Sequence, residues 1–134
     1  MPAVAQLERY EWINREEAMT LIKRMNAFMR TPALASTVEA WGIKETANGF
    51  ESRAIWSSPE QQTAHGTAWG SYEHMEDFEK MGSVMKEVHY ELFGLEADLI
   101  ACRATLMDEH PGSKCTHVTP DVKDYPNSMD ACWN

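Results

Sequence analysis

Between Glu76 and Phe93, five apolar residues (Phe78, Met81, Met85, Val88 and Leu92) recur at intervals of three, four, three and four. At 3.6 residues per turn this spacing is one continuous apolar stripe, and it predicts a helix packed on another layer. On that wheel His89 falls about 60° from the centre of the stripe, with Gly82 beside it. An imidazole next to a dent is the expected result. Upstream, Thr67 to Glu73 holds Trp69 and Tyr72 between small residues, as a strand with alternating large side chains would.

The remaining elements follow in order. Residues 3 to 12 read as a strand whose faces are both mixed: Ala3, Ala5 and Leu7 share one with Arg9, while Val4, Tyr10 and Trp12 share the other with Gln6 and Glu8. Such a strand has both faces covered, one of them by a polar cavity. Asn14 and Glu17 form a capping-box-like start, and Ala18, Leu21, Ile22, Met25, Phe28 and Met29 make a helical stripe that stops at Thr31-Pro32. From Thr37 to Ser57 the composition is that of strand, with Asn48-Gly49 as the turn signal; a hairpin and one long bent strand both fit. Ser57 to Gln62 reads as a loop, Leu99 to Met107 as a last strand, and residues 110 to 134 as an irregular tail after a domain spanning 1 to 109. YEWINREEAM from Tyr10 and YEHMEDFEKM from Tyr72 echo each other at an offset of 62. With the order β-α-β-β-α-β, a repeated strand-helix unit predicts a ferredoxin-like α+β sandwich.

Charge and cysteine usage narrow the partners. The net charge of −9 repels nucleic acid and anionic membrane surfaces. Without an apolar run long enough for a span or a signal peptide, the expectation is a soluble cytoplasmic protein. Cys102, Cys115 and Cys132 are odd in number, which favours free thiols over a disulfide framework.

Across residues 3 to 108, and above all in WGSYEHMEDFEKM, the chain resembles the dimeric α+β barrel proteins, which include small monooxygenases, polyketide cyclases and isomerases. The resemblance implies two subunits joined through their sheets, and a small-molecule cleft between each sheet and its helices. It also implies a cofactor-independent monooxygenase, cyclase or isomerase acting on an aromatic or polyketide-like molecule. Some relatives hold haem through a histidine of the second helix, which His89 resembles in placement. A non-catalytic ligand-binding or assembly subunit is the reading from another class.

Within that frame His89 is the candidate acid-base residue and Tyr72 a second donor. Arg53 and Arg103, inside strand-like runs, are candidates to hold an oxyanion, and Trp56, Trp69 and Tyr10 to stack on a flat ligand. Each has a plain structural alternative: a satisfied core histidine, a rim ion pair, or aromatic core packing. His65, Glu73, His74 and Asp77, and in the tail His110, Cys115, His117 and Cys132, lack any established metal-ligand spacing, so no metal is expected. GxSxG, GxxxxGK[ST] and GxGxxG are all absent, which removes support for phosphate and nicotinamide chemistry.

Overall fold

The computed structural model describes residues 4–95, 97–99 and 101–102, and the backbone of Lys114–Thr116. Its centre is strand β1 (Val4–Trp12), flanked antiparallel by β3 (Gly49–Trp56) and β4 (Met85–Gly94). Beyond β3 lies β2 (Ala40–Glu45), and beyond β4 the short parallel strand β5 (Lys114–Thr116), giving the order β2-β3-β1-β4-β5. The four antiparallel strands have the ferredoxin-like α+β arrangement expected from the sequence.

Helix α1 (Arg15–Met29) connects β1 to β2, followed by the short α2 (Pro32–Ala35). It starts where the sequence says it should: the Asn14 side chain accepts from the Glu17 N–H at 3.2 Å. Ala18, Leu21, Ile22 and Met29 face the core. The β2–β3 hairpin turns just before Gly49, where a side chain would collide with the Tyr10 carbonyl, since a Cβ would lie 1.7 Å from that oxygen.

The return crossover departs from the sequence reading. Residues expected as loop and strand form one helix, α3 (Pro59–Trp69), capped by the Ser58 hydroxyl accepting from the Gln61 N–H. Its buried residues are Gln62 and His65, so no apolar period announces it. Tyr72 stands in the turn after α3, whereas Tyr10 lies within a strand, so the sequence echo does not mark a repeated unit. The following helix, α4 (Glu76–Val84), is half the predicted length, and Met85 to Gly94 is strand. Gly82 and Ser83 weaken its last turn, and the Val84 carbonyl accepts from the N–H groups of Ile13 and Asn14, both at 2.9 Å, which fixes the switch to sheet beside β1.

A bulge explains the misleading period. Arg9 pairs with His89 and Tyr10 with Glu87, leaving Val88 as the extra residue. The inserted Val88 is exposed, yet it stands three residues after buried Met85 and four before buried Leu92, so it completes a helix-like spacing within a strand. Of the predicted last strand, residues 99, 101 and 102 are helical, with Leu99 and Cys102 buried in the core, and residues 103 to 107 lie outside the described residues. Within the tail expected to be irregular, Lys114–Thr116 pair with Glu91–Phe93 as β5.

Two apolar clusters fill the space between sheet and helices. One joins Val4, Trp41, Trp56, Tyr90 and Leu92 to Met29, Leu34, Leu99 and Cys102. The other joins Phe50 and Met85 to Ala18, Leu21, Ile22 and Val84. Among the described residues, no helix is long and apolar enough to cross a membrane.

Candidate active site

Alternation along β1 turns Val4, Gln6, Glu8, Tyr10 and Trp12 toward the helices. The register sets Ser52 and Tyr90 on either side of Glu8, Phe50 and Glu87 on either side of Tyr10, and Ala54 and Leu92 on either side of Gln6. On the helix side of a central strand such positions should be buried and apolar. Instead Gln6, Glu8, Tyr10, Ser52 and Glu87 are polar and partly exposed, so the helices leave a cleft over the middle of the sheet.

The floor of that cleft is a connected hydrogen-bond network. Tyr90 donates its hydroxyl to Gln6 Oε1 at 2.9 Å, and Gln6 Nε2 donates to Glu8 Oε1. The Tyr10 hydroxyl lies 2.5 Å from Glu8 Oε2 and 3.1 Å from Glu87 Oε2. One phenol carries one proton and cannot donate fully to two carboxylates. Bonding both at once requires a further proton on one carboxyl group or a shared, bifurcated contact. Burial, the charge of Glu8 and the bonds to Glu8 and Glu87 push the Tyr10 hydroxyl well above the usual phenol range. Phe50 stacks on Tyr10 with ring centroids 4.7 Å apart and fixes its ring.

The candidate residues named from the sequence divide between the two faces of the sheet. Tyr10 and Trp56 face the helices, and Trp69 and Tyr72 come to the same side from α3 and the turn after it. Trp69 donates its indole N–H to His65 Nε2 at 3.1 Å, and the other ring nitrogen, Nδ1, lies 2.9 Å from the Thr37 hydroxyl. Accepting at Nε2 leaves the proton of the neutral ring on Nδ1, donated to Thr37, which itself donates to the Leu34 carbonyl. Burial lowers the His65 pKa to about 4. Tyr72 donates to Asp77 Oδ2 at 2.8 Å, and Asp77, fully buried, is also held by Arg24. Burial and the bond to Asp77 push the Tyr72 hydroxyl up. Burial alone would raise the Asp77 carboxyl, but the bonds from Tyr72 and Arg24 outweigh it and hold it below the usual range.

His89 and Arg53 occupy the opposite, outer face. His89 is not on a helix: it lies on β4, with Nε2 3.0 Å from Glu91 Oε1, and nothing crowds Gly82, which is exposed. The apolar face beside a dent is therefore replaced by a half-exposed site on a strand. A haem held by a second-helix histidine does not fit this placement. Arg53 pairs with Glu51, which also accepts from Arg9. Arg103 lies outside the described residues. Among the described residues no group of three metal-ligating side chains converges. A hollow of about 510 Å³ on the outer side of α1, lined by Arg15, Glu16, Met19, Thr20 and Lys23, shares no residue with the network.

Glu87 escaped the sequence reading because only the bulge turns it inward. Glu8 and Gln6 were readable as polar residues of a central strand. Two further donors stand on the cleft side, the indole N–H groups of Trp41 and Trp56, both deeply buried and without a hydrogen-bond partner among the described residues.

No protein-family model matches this sequence, and no curated protein does. Solved structures do. MupZ from Pseudomonas fluorescens superposes with a TM-score of 0.65 at 14% identity, over 90% of this chain and 93% of that one. SnoaB from Streptomyces nogalater, a cofactor-independent oxygenase, gives 0.51 at 15% identity, over 72% of this chain and 95% of its own. The chain thus has the ferredoxin-like fold of the dimeric α+β barrel proteins.

Proposed function

We propose that the chain is an enzyme that works without a cofactor on an aromatic or polyketide-like small molecule, seated between the sheet and its helices. The observation that carries this reading is the Tyr10 hydroxyl, set between Glu8 and Glu87 on a partly exposed floor at the centre of the sheet. A buried phenol between two carboxyl groups is equipment for moving protons. Glu8, oriented by Gln6, takes a proton from a carbon next to a carbonyl group. The electron pair moves onto the carbonyl oxygen, and Tyr10 with Glu87 passes a proton back. The resulting enolate can close a ring, take its proton at another carbon, or react with dioxygen. SnoaB, a cofactor-independent oxygenase on the same fold, supports the last of these routes. His89 and Arg53 act in this reading at the outer face, where the ion-paired ladder of Arg9, Glu51 and Arg53 would meet a second subunit of a cytoplasmic homodimer.

Proton exchange tests the reading directly. Anthrone in D2O, followed by NMR, should exchange its acidic C–H protons faster with the protein, and Tyr10→Phe or Glu8→Gln should remove about a hundredfold of that acceleration. Acceleration that both variants retain would place the chemistry elsewhere.

A further inference from the structure

The charge and donor pattern of the cleft specify its ligand more narrowly than the fold does. The described residues of the four antiparallel strands that face the helices include three carboxyl groups, Glu8, Glu87 and Glu45, and no lysine or arginine. The cations of those strands, Arg9, Lys44, Arg53 and Lys86, belong to the outer face by register. On α1, Arg24 is engaged by Asp77 and Arg15 by Glu45. Even with one of Glu8 and Glu87 protonated, the floor keeps negative charge, so an anionic ligand meets repulsion that no cation among the described residues of this face of the sheet offsets.

An independent feature lies in the same row of the sheet. Trp41 pairs with Ala54, and Ala54 with Gln6, so only a methyl group separates the indole from the polar floor. The Trp41 N–H is deeply buried yet has no acceptor among the described residues. A buried donor left so is costly, and a ligand in the cleft can supply the acceptor. Trp41 and Glu8 are two strands and one residue pair apart, about 12 Å between Cα atoms from ordinary sheet spacings.

We propose that the cleft selects an uncharged hydroxy-carbonyl ring compound, with a carbonyl oxygen on Trp41 Nε1 and a hydroxyl toward Glu8 and Glu87, and rejects the corresponding carboxylate. This specificity rests on the proposed function and names its substrate class.

Three probes, read by quenching of tryptophan fluorescence, test it: 1-hydroxyanthraquinone, its 2-carboxylate, and 1-hydroxyanthracene, which lacks the carbonyls. The hydroxyquinone should bind best, with each of the others weaker by about tenfold or more. Glu8→Gln should narrow the gap to the carboxylate, and Trp41→Phe the gap to the carbonyl-free ring, with folding verified by circular dichroism. Equal binding of hydroxyquinone and carboxylate, or preferences unchanged in both variants, would overturn the specificity while leaving the cleft as a binding site. Binding of none of the probes, or binding indifferent to Glu8→Gln, Tyr10→Phe and Trp41→Phe alike, would overturn the cleft reading itself.

Discussion

The Arg24 guanidinium holds the buried Asp77 carboxylate through two bonds, Nε to Oδ2 at 3.1 Å and Nη2 to Oδ1, and thereby ties α1 to the start of α4. Removing one partner leaves the other without its counter-charge. Arg24→Ala should lower the urea unfolding midpoint, because the buried carboxylate loses the cation that the partly exposed Arg24 supplies. The double change Arg24→Met with Asp77→Leu should cost less than the sum of its parts. Additive losses would show that the pair contributes little. Since the folded state depresses the Asp77 pKa, this contribution is present above the ordinary carboxylate range and disappears as pH falls through the folded value.

His65 carries the opposite charge logic. Its folded pKa of about 4 lies below the ordinary imidazole value of 6.5, so between these values the unfolded chain binds a proton that the folded chain refuses. Stability should therefore fall as pH drops from 6.5 to 4, by roughly 3 kcal/mol in all. Chemical denaturation across that range measures the slope, and His65→Gln should flatten it. A wild-type slope equal to that of His65→Gln would mean that the ring titrates normally.

Tyr10→Phe separates chemistry from packing. The ring keeps its stack on Phe50, so the melting temperature should stay near wild type while turnover falls about a hundredfold. A large loss of stability with little change in turnover would make the network structural.

The proposed homodimer would meet across the outer face through its polar residues. Arg9, Glu51 and Arg53 form an ion-paired ladder there, whereas Ala5 and Ile55 of the same face are buried within the chain. Arg53→Glu should shift sedimentation from dimer toward monomer, by placing two acids side by side on the proposed interface. Wild-type protein sedimenting as a monomer at micromolar concentration would remove the premise. Trp41 and Trp56 turn inward, away from that face.

Truncation at residue 112 removes β5 and leaves Glu91–Phe93 as an open edge. The shortened chain should keep most of its secondary structure by circular dichroism and show a tendency to self-associate in light scattering. Shortened protein that stays as dispersed as the full chain would mean that β5 protects nothing.

Local signals made part of this fold legible. Asn14 with Glu17 marked α1, Asn48-Gly49 marked the hairpin, and the mixed parity of Gln6, Glu8 and Tyr10 pointed to a polar cavity beside the first strand. α3 was hidden because it buries a glutamine and a histidine rather than an apolar stripe. β4 was hidden because one unpaired residue makes a two-residue period look helical, and with it went the placement of His89 and the discovery of Glu87. Periodicity reports spacing along the chain, whereas the cleft depends on which strands lie side by side.

The extra residue at Val88 has a further consequence for kinship. Paired in regular register, Val88 would oppose Tyr10, and Glu87 would project from the far side of the sheet. A distant relative could keep every side chain of this segment and still lose the acid beside the phenol by pairing the strand without a bulge. Descent of the chemistry is therefore better traced by which residue of β4 stands opposite Tyr10 than by letter-for-letter likeness.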